Sequence, residues 1–271
     1  MRIAVTGAAG RIGRALRMPL LRAGHTVHST DRLGGTPAGD GETWTTGELA
    51  DAKLLDAVLK DADVVVHLAG SSNEQPLPQI LANNHQATFE LFEAARRQRV
   101  RRVVYASSNH AFGLYPPNRK LRLNDTYRAD TFYGLSKVWG ESLGRMYWEK
   151  HGIECVALRI GTFMGVPPRN RRELSSWLGN EDLLQLVTCA IDAEAVAFAP
   201  VWGVSANTRG WYDLREGNAI GYAPKQNAEA YVANVLAVAE PPDPVADRYQ
   251  GGPFVTFDYT ADEDRPSTRF E

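Results

Sequence analysis

Hydrophobic runs of strand length alternate with helix-spaced apolar stripes through the first 160 residues. "RIAVTG" (2–7) reads as a buried strand. Residues 11–23 read as a helix with an apolar stripe, and Pro19 inside it is expected to kink or shorten it. "HTVHSTD" (25–31) is a second strand. A helix over 51–60 leads into the strand "DVVVHLAG" (63–70). A long helix over 78–98 ends in Arg96 and Arg97, cations suited to a helix C-terminus. "RRVVYASS" (101–108) is the next strand. In the helix over 133–150, Leu135, Val138, Trp139, Leu143, Met146 and Tyr147 recur at helical spacing. "IECVALRIG" (153–161) is the last strand of the series. Alternation of this kind implies a parallel sheet covered on both faces, and strands with little polar alternation fit that burial.

Past residue 161 the pattern loosens. Helices are expected over 181–192 and 225–239, with the aromatic and glycine-rich "VWGVSANTRGWYD" between them. The chain therefore reads as α/β: a Rossmann-type doubly wound parallel sheet over 1–161, and a small C-terminal substrate-binding portion over 162–260 integrated with it. A tail over 261–271 has no core pattern and is expected to be mobile.

Composition changes this picture little. The 271 residues suffice for one large α/β domain with a small annex, and the net charge of −2 gives no reason to expect nucleic acid or an acidic membrane surface. Arginine outnumbers lysine 24 to 6 without forming a long basic run. Cys155 and Cys189 lie in apolar runs and read as buried thiols. No signal-peptide pattern or membrane-length run is present, and no His/Cys/Asp/Glu set has metal-ligand spacing, so a soluble cytoplasmic protein without a metal is expected.

"TGAAGRIG" places Gly7, Gly10 and Gly13 directly after the first strand and at the opening of a helix. Glycines there let the backbone turn and approach a pyrophosphate, while the helix N-terminus offers free N–H groups. Asp31 ends the second strand. Its carboxylate can accept hydrogen bonds from adenosine ribose hydroxyls and would repel a 2′-phosphate, which argues for NAD over NADP. Arg32 follows and could receive a phosphate, and "DRLGG" also allows Asp31 to be a turn residue.

"YGLSK" sets Tyr133 and Lys137 on one helix face, and Ser108 ends the preceding strand. A tyrosine titrates near pH 10 unaided, and a neighbouring ammonium favours the phenolate, making it a usable base. A serine hydroxyl can hold the oxygen whose proton leaves. "RNRRELSSW" (169–177) concentrates three arginines in four positions, which suits either a solvated loop or an anion site.

The phosphate loop, the strand-end serine and the YxxxK pair together resemble the extended short-chain dehydrogenase/reductase superfamily. "ASSNHAFGLYP", "YGLSK", "RIG", "LSSW", "VWGVSAN", "GWYD" and "PKQNAEAY" resemble a narrower family, the bacterial uronate dehydrogenases, from residue 2 to about 257. The resemblance implies NAD-dependent oxidation of galacturonate or glucuronate at C1 to an aldarolactone. Tyr133 would be the base, Lys137 its electrostatic partner and a nicotinamide-ribose ligand, and Ser108 the orienter of the C1 oxygen. It implies cofactor contacts from Gly7, Gly10, Arg11, Ile12, Asp31, Glu48, Leu49, Leu68, Ala69, Gly70, Tyr133, Lys137 and Ile160. Substrate contacts would come from Ser72, Ser108, Asn109, His110, Tyr133 and Thr162, with Arg172 on the sugar carboxylate and Arg169 and Arg171 solvated. A homo-oligomer is the expected assembly. A planar guanidinium can grip a carboxylate through two parallel hydrogen bonds, which would select an acid sugar.

Four positions depart from the family pattern. Phe163–Met164 is bulky where small polar residues are usual, Thr162 stands where a serine is expected, and Glu48 replaces an aspartate. His67 reads as a packed structural residue and Asn84 as a support for backbone near the cofactor. Trp202, Trp211 and Tyr212 read as core or interface. The alternatives are an NAD(P)-dependent aldose 1-dehydrogenase acting on a neutral sugar, a nucleotide-sugar epimerase or dehydratase, and a non-catalytic NAD-binding sensor.

Overall fold

The computed structural model describes residues 1–215, 218–238 and 241–261. The expected tail over 261–271 lies outside the described residues except for Ala261. In chain order the regular elements begin β1 (Arg2–Thr6), α1 (Arg11–Arg22), β2 (Thr26–Asp31), β3 (Glu42–Thr46), α2 (Ala52–Leu59) and β4 (Val64–His67). They continue with α3 (Leu77–Ile80), a π-helical stretch (Leu81–Gln86), α4 (Ala87–Arg97), β5 (Arg102–Ser108), α5 (Phe132–His151) and β6 (Glu154–Ile160). The last are α6 (Glu173–Ser176), α7 (Asn180–Asp192), β7 (Phe198–Gly203) and α8 (Val232–Leu236).

All seven strands are parallel, in the order β3-β2-β1-β4-β5-β6-β7. Successive side chains of a strand point to opposite faces. Ile3 and Val5 of β1 accordingly join a core with Leu16 and Leu20 of α1 and Leu183, Leu186 and Val187 of α7. Ala4 faces the other way, into a core with Leu55 of α2, Leu91 and Phe92 of α4 and Tyr147 of α5. The strand order reverses direction between β1 and β4, which opens the crevice where such sheets bind ligands at the carboxyl ends of their strands.

The structure departs from the sequence expectations at several elements. β3 and β7 were not expected. β3 is a polar edge strand, and β7 carries Pro200, which lacks the ladder N–H and is tolerated at an edge. β7 also means that the chain beyond 161 contributes to the main sheet. The helix over 78–98 is three consecutive segments, the middle one π-helical. Pro19 does not shorten α1, which runs on to Arg22 with Leu16 and Leu20 buried against the sheet. The helix expected over 225–239 is a 3₁₀ turn (Ala228–Tyr231) followed by the short α8. β4 stops at His67, so Leu68–Gly70 leave the sheet. Cys155 is buried and Cys189 half-buried, both as free thiols.

Candidate active site

A cavity of about 1710 Å³ lies over the carboxyl ends of the strands. Its floor is the turn from β1 into α1. Gly7 has φ +70°, and a Cβ there would sit 2.6 Å from the backbone N of Ala69. Only glycine allows the two loops to approach so closely. No side chain caps the start of α1, so its first N–H groups are free for an anion. Arg11, Ile12, Asp31, Glu48, Leu49, Leu68, Ala69, Gly70 and Ile160 line the same cavity. Asp31 accepts hydrogen bonds from the backbone N–H groups of Ala9 (3.0 Å) and Leu33 (3.0 Å), so it ties the phosphate loop as well as facing the cavity. The glycine cradle, the open helix end and the carboxylate form a donor and acceptor set that fits a dinucleotide.

Two supports stand behind this wall. Asn84, in the π-helical stretch, accepts from Ser71 N–H (2.7 Å) and donates to Ser71 O (3.0 Å) and Ser136 Oγ (2.9 Å), holding the loop after Gly70. His67 is buried, 2.7 Å from Thr6 Oγ1, and burial, with the charge of Lys137, pushes its pKa down to about 3. It is a neutral packing residue.

The reactive end combines β5 and α5. Ser108 ends β5, and its Oγ accepts from His110 N–H (3.2 Å). Thr131 caps α5 by accepting from Gly134 N–H (3.0 Å), and Glu74 accepts from Tyr133 N–H (2.8 Å), which together fix the turn that carries Tyr133. Behind them Arg159 donates to both oxygens of the buried Glu141, which also accepts from Ser107 (2.5 Å) and Tyr127 (2.7 Å). This network ties β5, β6 and α5 together and so sets the spacing of Ser108 and Tyr133. Lys137 donates to Ala106 O at 2.8 Å, and its Nζ lies 5.5 Å from the Tyr133 ring centre.

The titration of these groups differs from the sequence expectation. The pKa of Tyr133 is pushed up to about 12 by burial, although hydrogen bonding with Ser108 draws it down. Burial likewise pushes Lys137 down to about 8. The acidification of the phenol expected from the lysine is not achieved by the protein alone, because desolvation penalises both charged forms.

Ser72, Ser108, His110, Tyr133, Thr162 and Arg172, the residues expected at the substrate, all line the cavity. Arg172 Nε donates to Gln250 O (2.8 Å), and Nη1 donates to Thr162 Oγ1 (3.3 Å). Its buried Nη2 has no partner. Among the described residues no carboxylate forms an ion pair with this guanidinium, and burial lowers its pKa against the opposing charges of Asp130 and Glu173. Arg169 is different, since Glu173 takes it at 2.6 Å. Arg171 is exposed on the cavity wall. Asn109 is the one expected contact that does not line the cavity; it is buried, with Oδ1 3.4 Å from Ser108 Oγ.

Sequence reasoning missed the 251–254 segment, which lines the cavity and stacks Phe254 on His110 at 3.9 Å. It also missed Asp130, 2.6 Å from His110 Nδ1. Neither carries a local signal. Trp202 and Tyr212 are core residues, their ring centres 4.4 Å apart, whereas Trp211 faces the cavity. Phe163 packs into the core, and Met164 accepts from Arg11 Nη1. Among the described residues no group of three or more His, Cys, Asp or Glu could hold a metal ion.

Comparison with known proteins gives a consistent set of relatives. Residues 3–187 match the model of the NAD dependent epimerase/dehydratase family. The uronate dehydrogenase of Pseudomonas syringae pv. tomato is 39% identical over 256 residues, covering 94% of this chain and 93% of the relative. The crystal structure of uronate dehydrogenase from Agrobacterium tumefaciens is 40% identical, with a TM-score of 0.89, covering 94% of this chain and 96% of that one. A tyrosine-to-alanine mutant of the Agrobacterium enzyme, complexed with NAD, superposes with the same TM-score of 0.89 at 39% identity over the same shares.

Proposed function

The chain belongs to the uronate dehydrogenases, and to the NAD dependent epimerase/dehydratase family at large, and from that membership we propose how its own residues carry the reaction. The protein is an NAD-dependent oxidoreductase acting on a hexuronic acid. The substrate is D-galacturonate or D-glucuronate, oxidised at C1 to the aldarolactone. One observation carries the assignment of the acid end: Arg172 is a buried guanidinium with an unpaired Nη2, in the cavity that also holds Tyr133, Lys137 and Ser108.

Arg172 takes the sugar carboxylate, leaving C1 at the Ser108–Tyr133 end. Ser108 Oγ holds the C1 oxygen. Tyr133, as phenolate, accepts the proton of the C1 hydroxyl as the carbonyl forms, and the Lys137 ammonium favours that phenolate. When bound, NAD supplies the acceptor for the C1 hydride and a cationic ring. The residues that hold it are Gly7, Gly10, Arg11 and Ile12 at the pyrophosphate, Asp31 at the adenosine ribose, Glu48 and Leu49 near the adenine, and Leu68, Ala69, Gly70, Tyr133, Lys137 and Ile160 toward the nicotinamide. Ser72, His110 and Thr162 complete the sugar site, and Asn109 is buried beside Ser108. Residues 1–161 form the cofactor-binding core, and 162–260 a substrate-binding portion integrated with it, β7 lying in the same sheet.

The reading extends to assembly and setting. Leu135, Trp139 and Met146 are 40–52% exposed along α5, a face suited to a second copy of the chain; a monomeric mass in light scattering would reject it. No helix of the described residues is long and apolar enough to cross a membrane. We place the enzyme in the cytoplasm, without nucleic-acid or membrane partners.

The test is a panel of galacturonate, glucuronate, galactose, glucose and arabinose with NAD or NADP, followed by NAD(P)H formation. Turnover of the uronates with NAD is expected. Equal turnover of the neutral sugars would reject the role of Arg172.

A further inference from the structure

His110 stands at the substrate end of the cavity, and three elements fix its ring. Phe254 stacks on one face at 3.9 Å, and Tyr133 meets it edge-on at 5.9 Å. Its Nδ1 lies 2.6 Å from Oδ2 of Asp130. The Asp130 side chain is fully buried, and its Oδ1 accepts from the hydroxyl of Thr131, the residue that caps the helix carrying Tyr133. The chain is built tightly around this carboxylate. A Cβ at Gly113 would fall 1.8 Å, and one at Gly251 2.1 Å, from its Oδ2.

We propose that Asp130 is a positioning residue of the sugar site: it holds His110 as the Nδ1–H tautomer and presents Nε2 to the substrate as a hydrogen-bond acceptor for a ring hydroxyl. This rests on the sugar-acid reading above. The chemistry is restrictive. An ionised carboxylate can only accept, so the ring nitrogen 2.6 Å away carries a hydrogen. Burial favours the neutral imidazole, opposed by Asp130 and aided by the charge of Arg172. A neutral ring with its hydrogen on Nδ1 has a bare lone pair on Nε2. The substrate hydroxyl that meets it must donate. His110 then reads the presence of a hydroxyl, while Arg172 reads the acid group.

Two measurements on the full chain test this. The first is long-range ¹H–¹⁵N NMR of the wild-type protein at neutral pH. The His110 resonances should report Nδ1–H with Nε2 bare, and Asp130→Ala should move the population toward Nε2–H. An Nε2–H tautomer in the wild type overturns the proposal. The second is a double-mutant cycle of His110→Ala and the near-isosteric Asp130→Asn. Asp130→Asn should raise KM for the uronate about tenfold, as expected for weakening a buried charge-assisted hydrogen bond, with kcat and NAD affinity within about threefold. In the His110→Ala background it should add less than about twofold. Additive losses, or a parallel loss of NAD affinity, would mean that Asp130 only supports the fold and would overturn the proposal. If the wild type oxidises a neutral sugar and no uronate, the substrate reading fails, and the same cycle on that sugar together with the tautomer still decides the role of Asp130.

Discussion

Replacing Arg172 with methionine removes the charge and the fork but keeps most of the apolar stem. In the structure this guanidinium has two neutral oxygen partners, Gln250 O and Thr162 Oγ1, and one buried nitrogen with none. Among the described residues no carboxylate forms an ion pair with it, and the charges of Asp130 and Glu173 offset its desolvation only in part. A sugar carboxylate would supply the missing partner in a geometry for which charged, buried pairs cost about 2–5 kcal/mol to break. Taking about 3 kcal/mol, kcat/KM for galacturonate or glucuronate should fall on the order of 10²-fold. A neutral sugar never makes that pair, so its kcat/KM should stay within about threefold or rise. The decisive quantity is the ratio of the two, followed by NADH absorbance over a range of sugar concentrations. Arg172→Lys, which keeps the charge without the planar fork, should fall between. NAD affinity and the thermal midpoint of each variant separate site effects from loss of the loop held through Gln250. Equal losses on acid and neutral sugars would refute the reasoning, because they would place Arg172 in the scaffold.

Tyr133→Phe should lower kcat about 10²–10⁴-fold while NAD still binds, as calorimetry would register. Because burial raises the pKa of Tyr133, the reactive phenolate fraction grows with pH, and log kcat/KM in the wild type should climb with a slope near one through the mildly alkaline range; a flat profile would reject Tyr133 as the base. Asp31→Ala should shift the NAD:NADP preference at least about tenfold toward NADP by removing the charge that repels a 2′-phosphate, and an unchanged ratio in paired kinetics would show that Asp31 serves only the turn through Ala9 and Leu33. His67 has its pKa depressed to about 3, so below pH 6.5 the unfolded chain takes up a proton that the folded chain refuses. Stability is intact above that pH and should fall by about 1.4 kcal/mol per unit between pH 6.5 and 3 from this residue alone; acid denaturation curves for the wild type and His67→Gln that keep the same pH dependence would contradict it.

The parts of this molecule that were readable from sequence share one property: their signal is local. Gly7, Gly10 and Gly13 sit within one turn, and Tyr133 and Lys137 lie one helical turn apart. The buried central strands announce themselves by continuous apolar runs. β3 and β7 did not, because an edge strand has one unpaired side and tolerates polar residues and Pro200. The π-helical stretch at 81–86 differs from an α-helix by one residue per turn of hydrogen bonding, which hydrophobic spacing cannot resolve. The remaining site residues meet only through the tertiary fold. Asp130 reaches His110 across 20 positions, and Gln250 reaches Arg172 across 78. Phe254 comes from a segment with no apolar periodicity and still covers His110.

The electrostatics of the site bind the substrate's acid group to the ionisation of the base. Burial opposes charge on Tyr133, Lys137, His110 and Arg172 alike, and Asp130 adds negative potential that raises Tyr133 further. An incoming carboxylate would push the phenol in the same direction if its charge were not neutralised. Arg172 therefore has two effects on an acid sugar: it holds the carboxylate, and it cancels the field that would otherwise keep Tyr133 protonated. The first effect alone predicts a pH-independent loss in Arg172→Met. The second predicts that the pH at which the alkaline limb of the kcat profile levels off moves upward in Arg172→Met, because the cation that favours the phenolate is gone. An unchanged levelling pH for Arg172→Met on galacturonate would leave the grip and remove the electrostatic coupling.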